Sequence, residues 1–373
     1  MILFLNGPVQ NGDFTFRDAP GKAVGVHLAE VLDDTLGLRR PPHLWNTVTL
    51  SGDLRHGRDR SPAERVELER RALLHKYGSD LPSPAKILTD ADPVVAALAL
   101  DMIDAGLSQG SLRIERTALQ ECVSCGHMVG PVADRCTACE GARLRTRRAW
   151  HLVHDLVGKG SSLSEVLHGH HRKRPRHLEA VLRQTPRRLL LSRTRAHGIR
   201  LDALGLDGLA LDPRTGLHVT VLAAARSAGA AEVAMTATAR AIAHIAAHGI
   251  GFTSWQGHRL RYAVHGRIPY EALPALEKVY AFHRVTSQER QAFESRFLPL
   301  IAWHNKDRTH PGQLPPLLKY FLKVHRNPPV SAVSERLNRV REEINRGGTS
   351  WVMDKHLLAV AVEQPVERTA TLV

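Results

Sequence analysis

The residues most committed to chemistry are four cysteines, all within positions 122–139. Cys122-x2-Cys125 and Cys136-x2-Cys139 are two Cys-x-x-Cys pairs with ten residues between them. Gly126 and Gly141 stand close to the pairs, so each pair can form a tight turn that aims two thiolates at one point. Four thiolates around one tetrahedral ion make a structural zinc site, because no coordination position stays open for substrate. A redox dithiol pair, or a zinc site that has lost its metal, would use the same spacing. A disulfide framework would not confine every cysteine to one short stretch.

Positive charge gathers immediately after this cluster. The chain carries +14 overall, and residues 141–200 hold 15 Lys or Arg against 3 Asp or Glu. Arg143, Arg145, Arg147 and Arg148 follow the last cysteine, Arg172-Lys173-Arg174-Pro175-Arg176 comes next, and Arg183, Arg187 and Arg188 extend the arm. Such a concentration suits a polyanion, nucleic acid first, through phosphate contacts that give affinity without base specificity. The alternative is a solvated basic face in an Arg-rich protein. His151 with His154, and His168-x-His170-His171, lack a carboxylate or cysteine to complete a second metal set, and read as exposed histidines in a polar region.

A third constellation sits at the N-terminus. Ile2–Leu5 is an apolar run fit for a buried parallel strand, and Asn6-Gly7-Pro8 and Asn11-Gly12 are turn dipeptides that stop it. From Ala19 onward Val24, Leu28, Val31, Leu32 and Leu36 recur at helical spacing. Strand, Gly/Asn loop and helix N-terminus outline an anion site.

The elements that must position these groups alternate between strand and helix. Arg39-Arg40-Pro41-Pro42 closes the first helix, and Thr47–Leu50 is a second buried strand leading into Ser51–Gly57. Ser61-Pro62-Ala63-Glu64 starts a helix running to about Tyr77, and Asp92-Pro93 starts another through Met102. Further on, Leu217–Ala224 is β-prone, Ala230–His248 is an Ala-rich helix ended by Gly249, and Phe252–Trp255 is the next buried strand, followed by Gln256-Gly257. After Asn327-Pro328-Pro329, Ser331–Asn345 is an amphipathic helix with Val333, Leu337, Val340 and Ile344 inward, stopped by Gly347-Gly348, and Trp351–Val362 is a further apolar segment.

With 373 residues and 43% hydrophobic content, the chain can bury a sizeable core in more than one unit. No apolar run approaches a membrane span, and the N-terminal ILFL lacks the length and basic flank of a signal peptide, which leaves the cytoplasm as the default location.

Taken in order, these landmarks resemble a class I aminoacyl-tRNA synthetase, most of all the methionyl type. Asn11-Gly12-Asp13-Phe14 and Ala19-Pro20-Gly21 flank the place of that family's His-x-Gly-His signature, where this chain has Thr15, Phe16, Arg17 and Asp18. Gly52, His56 and Gly57 match the family's Gly-x-Asp-x-His-Gly, with Leu54 in place of the carboxylate that pairs with the amino-acid ammonium. Ser192-Arg193 and Gly198-Ile199 match Ser-Arg-x-x-x-Trp-Gly-Ile, with His197 for the Trp. Gly257 matches the glycine of Gly-Lys-Asp, and Lys319-Tyr320-Phe321-Leu322 matches the helix after the Lys-Met-Ser-Lys-Ser loop. Lys306 and Arg308, in the loop 304–310, are the remaining candidates for phosphate contact there.

The resemblance implies an α/β fold: a Rossmann-like parallel sheet over 1–110 and 186–325, a zinc-knuckle connective insertion with a basic arm over 111–185, and a short helical tail over 326–373 in place of a full anticodon-binding domain. It implies ATP as a cofactor beside structural zinc, with Asn11, Gly12, Gly52, His56, Gly57 and Gly257 as nucleotide-binding residues in loops at the carboxyl ends of strands. It implies tRNA or another RNA as partner, together with a full-length synthetase or a biosynthetic enzyme. The missing signature histidines would hold phosphates and developing charge, and Asp18 would repel them. The expected function is therefore a synthetase-like protein binding tRNA or aminoacyl-tRNA, with ATP-dependent amino-acid activation weakened or lost. The alternatives are an active, truncated ligase that forms an aminoacyl-adenylate in a specialised pathway, and a zinc-ribbon nucleic-acid-binding protein. The last explains charge and cysteines but not the strand-end glycines.

Overall fold

The structure, a computed structural model, describes residues 2–6, 20–38, 47–48, 50, 61–77, 88–130, 133–136, 138–156, 163–169, 187–327 and 332–362. Its centre is a parallel sheet. Strand β1 (Ile2–Asn6) is followed by helix α1 (Pro20–Leu36), whose end is turned by Gly37 at φ 75°. The short strands β2 (Thr47–Val48) and β3 (Leu88–Thr89) pair in parallel with each other. Helix α2 (Pro62–Tyr77) lies between them in sequence, and α3 (Pro93–Ser108) follows β3. The start of α2 is a reciprocal cap. The Glu64 amide donates to Ser61 Oγ at 3.2 Å, and the Ser61 amide donates to the Glu64 carboxylate at 2.6 Å.

The chain then leaves the parallel sheet for a long antiparallel ribbon, β4 (Leu112–Cys122), β5 (Met128–Val129), β6 (Leu144–Asp155) and β7 (Arg188–Leu190), in the order β5-β4-β6-β7. It returns through the pair β8 (Ser192–Thr194) and β9 (Leu209–Leu211), then α4 (Pro213–Ser227), β10 (Glu232–Thr238), α5 (Ala239–Gly249), β11 (Ser254–Trp255) and β12 (His258–His265). β1, β10 and β12 are parallel neighbours, and β11 folds back antiparallel on the edge of β12.

The remaining helices are α6 (Glu277–Phe282), α7 (Ser287–Ala292), α8 (Leu298–Asn305), α9 (Leu314–His325), α10 (Val333–Arg346) and α11 (Lys355–Val362). A π-helical turn at Phe293–Phe297 joins α7 to α8. Val340 and Ile344 of α10 and the apolar face of α11 are buried, so the tail packs back on the body through the helices expected there, but Val333, expected inward, is exposed in the first turn and Leu337 is half-buried.

The apolar runs of the central strands lack alternation because both faces are covered. Leu3 and Leu5 of β1, Val233 and Met235 of β10, and Leu260, Tyr262 and Val264 of β12 face one core, shared with α3, α4 and α5. Ile2, Phe4, Ala234 and Ala263 face a second core, shared with α1 and the C-terminal helices through Phe293, Phe297, Trp303, Phe321 and Trp351.

Three readings of the second half are corrected. Residues 217–224 form the buried middle of α4, not a strand. Their start is marked by Asp212-Pro213, where the Asp212 carboxylate accepts the Arg214 amide at 2.9 Å. The helix expected over 230–248 begins as the central strand β10, and only from Ala239, behind the N-cap Thr238, is it helical. The buried parallel strand is β12, while 254–255 is a two-residue edge segment. The buried runs 217–224 and 233–237 have no exposed polar face, so no periodicity separates helix from strand in them.

Candidate functional site: the zinc ribbon and the sheet crevice

The four cysteines meet at the tip of the ribbon. Cys122 ends β4, Cys125 follows its turn, and Cys136 and Cys139 return before β6. Cys122 and Cys139 sulfurs lie 3.5 Å apart and those of Cys125 and Cys136 3.6 Å, with all four within 4.8 Å of one another. Tetrahedral thiolates at a Zn–S length of about 2.3 Å would stand about 3.8 Å apart, a spacing the two close pairs already approach, so the set could hold a zinc ion. Backbone turns hold the ligands: Gly126 N–H donates to the Cys122 carbonyl and Glu140 N–H to that of Cys136, both near 3 Å. The residue after each second cysteine is left-handed. Gly126 takes φ 70° at no steric cost, and Glu140 takes φ 58° as a non-glycine. A Cβ at Gly141 would sit 3.3 Å from Cys139 Sγ and 3.6 Å from Cys122 Sγ. This is the only cluster of three or more metal-ligating groups among the described residues.

The ribbon sorts its charges by face. Residues paired across β4 and β6 share a face, so register decides the sorting. On one face Glu121 accepts from Arg145 at 3.2 Å and Arg147 at 3.1 Å, Glu115 pairs with Arg188, and Asp155 pairs with Arg113. Arg145, Arg147 and Arg188, expected to face phosphate, are thus partly neutralised. Arg143 is exposed, and so is Arg148, which belongs to the opposite face. The ribbon face bearing Arg147 and His151 borders a cleft of about 420 Å³, closed on its other side by Thr194 and the turn Gly205–Leu209.

His151, His154 and His168 are buried, 3%, 2% and 2% exposed, which corrects the expectation of solvent-facing rings. His151 Nδ1 is 2.9 Å from Ser192 Oγ, and His168 Nε2 is 2.8 Å from the Ile344 carbonyl. Burial pushes both rings below the ordinary histidine range. They are seams between units rather than ligands. Arg193, of the matched Ser-Arg pair, is likewise absorbed: it shares the buried Asp212 carboxylate with Arg214, each bond about 2.8 Å.

The other candidate region is the crevice at the carboxyl ends of β1, β10 and β12, where open α/β sheets take ligands. Asn6, Thr238 and His265 end these strands. Gly257 is not there. It lies in the turn between β11 and β12, at the amino end of β12, with open space around it. The glycine at the carboxyl end is Gly266, followed by the cation Arg267. A Cβ on Gly266 would strike the Asp307 carbonyl at 1.8 Å, so only glycine lets this strand end pass the loop after α8. That loop is hydrogen-bonded to it: Arg267 N–H donates to the Asp307 carbonyl, and Thr309 N–H to that of Arg267. Lys306, left-handed at φ 56°, and Arg308, bridged to Arg267, thereby stand beside the strand end. The missed signal was His265-Gly266-Arg267, a glycine and a cation after the stretch 260–264, which is apolar but for Arg261. Asn11, Gly12, Thr15, Phe16, Arg17, Asp18, Gly52, His56 and Gly57, and Arg172, Lys173, Arg174 and Arg176 of the basic arm, lie outside the described residues.

No protein-family model matches the sequence, and no curated protein matches it. Solved structures do. Mycobacterium tuberculosis methionyl-tRNA synthetase in complex with methionyl-adenylate superposes with a TM-score of 0.56 at 10% identity, over 97% of this chain and 82% of that one. A second structure of that enzyme bound by methionyl-adenylate gives 0.53 at 10% identity, over 97% and 83%. Its apo form gives 0.50 at 10% identity, over 97% and 80%. At this identity the likeness concerns architecture, and it agrees with a parallel sheet entered and left on either side of a cysteine-tipped ribbon. The chain has the class I fold of the methionyl-tRNA synthetases.

Proposed function

We propose that this chain is a synthetase-like protein that binds tRNA or another RNA through its zinc ribbon, and in which ATP-dependent activation of an amino acid is weakened or lost. The observation that carries the loss is at the signature positions. Thr15, Phe16, Arg17 and Asp18 supply neither imidazole, and Leu54 replaces the carboxylate for the substrate ammonium. Activation needs donors or cations aimed at charge that develops on the phosphates, and a carboxylate at 18 opposes that charge. RNA binding is supported by the excess of cations over 141–200 and by the synthetase-like fold. The four cysteines would hold zinc as a structural ion that keeps the ribbon in shape.

A second reading, retained ligase activity, is favoured by one arrangement. Gly266-Arg267 and the loop bearing Lys306 and Arg308 still bring three cations to the carboxyl end of β12. Amino-acid-dependent exchange of labelled pyrophosphate into ATP, run across all amino acids, separates the two. We expect no exchange above background; clear exchange with any one amino acid overturns the loss and selects the second reading. RNA affinity measured across salt concentrations should fall steeply, and a flat response would remove the phosphate-binding role of the ribbon.

A further inference from the structure

The β4–β6 ribbon is asymmetric in a way that the RNA-binding reading alone does not require. In the ladder Cys122 faces Leu144, Gln120 faces Thr146, Ala118 faces Arg148, and Arg116 faces Trp150. These pairs share one face of the ribbon. The alternate pairs, Glu121 with Arg145, Leu119 with Arg147, and Glu115 with His151, share the other. Every carboxylate of the two strands, Glu115, Glu121 and Asp155, falls on this second face, where each is paired with arginine. The first face therefore carries Arg116 and Arg148 with no acidic residue among its strand positions. Both are exposed, and neither has an ion-pair partner among the described residues.

Between these cations stands Trp150, 56% exposed. Trp303 and Trp351, by contrast, are at most 2% exposed. An indole left in water beside two guanidinium groups with no ion-pair partner among the described residues presents a π-face and two phosphate-binding forks together. An apolar protein partner covering Trp150 would have to desolvate both cations without compensation. A nucleotide supplies both complements, because any base has a π-face to stack and its flanking phosphates meet the cations. In a duplex the base faces are already stacked on each other, so the matching strand is unpaired.

We propose that the face formed by Arg116, Arg148 and Trp150 seats an unpaired segment of RNA, with one base stacked on Trp150 and its neighbouring phosphates held by the two arginines. This rests on the reading that the chain binds RNA and adds where, and in which form, the RNA is held. The opposite face of the ribbon, where Arg113, Arg145, Arg147 and Arg188 share three carboxylates, plays no part in the contact.

The test uses the full zinc-loaded chain with a labelled, unstructured oligouridylate and a blunt RNA hairpin, followed by fluorescence anisotropy over a range of salt. W150A should weaken oligouridylate binding about 5- to 100-fold and leave the salt slope and hairpin binding unchanged. W150F, which keeps a stacking ring, should stay within about threefold of the wild type. R116Q together with R148Q removes two phosphate contacts and should reduce the salt slope on the single strand by about 1.4. Trp150 is exposed, so these changes should leave zinc content and the circular dichroism spectrum unaltered. If the wild type binds oligouridylate and W150A binds it equally, the seat is overturned while RNA binding stands. Equal losses for oligouridylate and hairpin would overturn it too, since stacking on a single strand would not be the cause. If the wild type binds neither RNA even at low salt, both the seat and the RNA-binding reading fall.

Discussion

The ribbon and the parallel sheet are held together by different physics. At the ribbon tip the apolar cluster is Cys122, Val129 and Cys136, with a few partly buried neighbours, too little to offset the entropy of ordering two knuckles. The sheet is sandwiched between two extensive cores and excludes water from Phe4, Leu5, Val233 and Val264. The former has four thiolates that could hold an ion where the latter has apolar area, and each keeps its titratable groups accordingly. The ribbon displays its arginines, whereas the sheet encloses His218, His248 and His265. A charged ribbon and an apolar scaffold are thus separated within one chain, and each should fail under a different insult.

The largest expected effect is on the ribbon. Structural zinc in small modules contributes about 10–16 kcal/mol of apparent binding free energy, so chelation or Cys122→Ser should unfold the tip. Hydrogen exchange should then lose protection at residues 116–122 and 144–150 while β1, β10 and β12 keep theirs. Loss of protection in both regions would mean that the two units are not separate.

Acid should act on the sheet. Burial holds His218 and His265 near a pKa of about 4 and His248 near 3, below the ordinary 6.5, despite hydrogen bonds or a carboxylate that pull each upward. A base whose pKa is depressed by folding is protonated first in the unfolded chain. The stability from keeping these rings neutral is therefore whole above about pH 6.5 and is lost as pH falls toward 4. Each ring adds a slope of up to about 1.4 kcal/mol per pH unit, so three give up to about 4. Urea unfolding monitored by near-ultraviolet circular dichroism at pH 7.5, 6.5, 5.5 and 4.5 would show it; a flat profile would mean that the rings reach water.

The smallest effect sharpens the description of the knuckle. Glu140 occupies a left-handed position that Gly126 occupies in the first turn. Glu140→Gly should stabilise the zinc-loaded ribbon by about 0.5 kcal/mol, the strain relieved less the chain entropy added. A loss of stability would show that the Glu140 side chain makes up for its backbone.

Legibility followed the range of the interactions involved. The zinc cluster was readable because its four ligands lie within eighteen residues and their spacing is the site. The caps were readable for the same reason: Ser61 and Glu64 bond to each other, and α2 begins there. Over 213–265 the reading slipped by an element. Leu217–Ala224 is buried throughout, and Val233–Ala237 and Tyr262–Val264 are unbroken buried runs, so the polar face that would mark a period is absent there. One slip moved the strand-end glycine from Gly266 to Gly257, on the opposite rim of the sheet. The three histidines misjudged as exposed sit where separate units meet, which no local pattern records.

By itself, then, the sequence determined what local bonding decides: the four-thiolate knuckle, the first strand and helix, the capped helix starts, and the amphipathic tail. The tertiary structure alone decided which cations have partners and which do not, since that depends on the register of β4 against β6. It alone brought Gly266-Arg267 beside the loop 306–309, segments about forty residues apart whose meeting is recorded in backbone hydrogen bonds rather than in side-chain type.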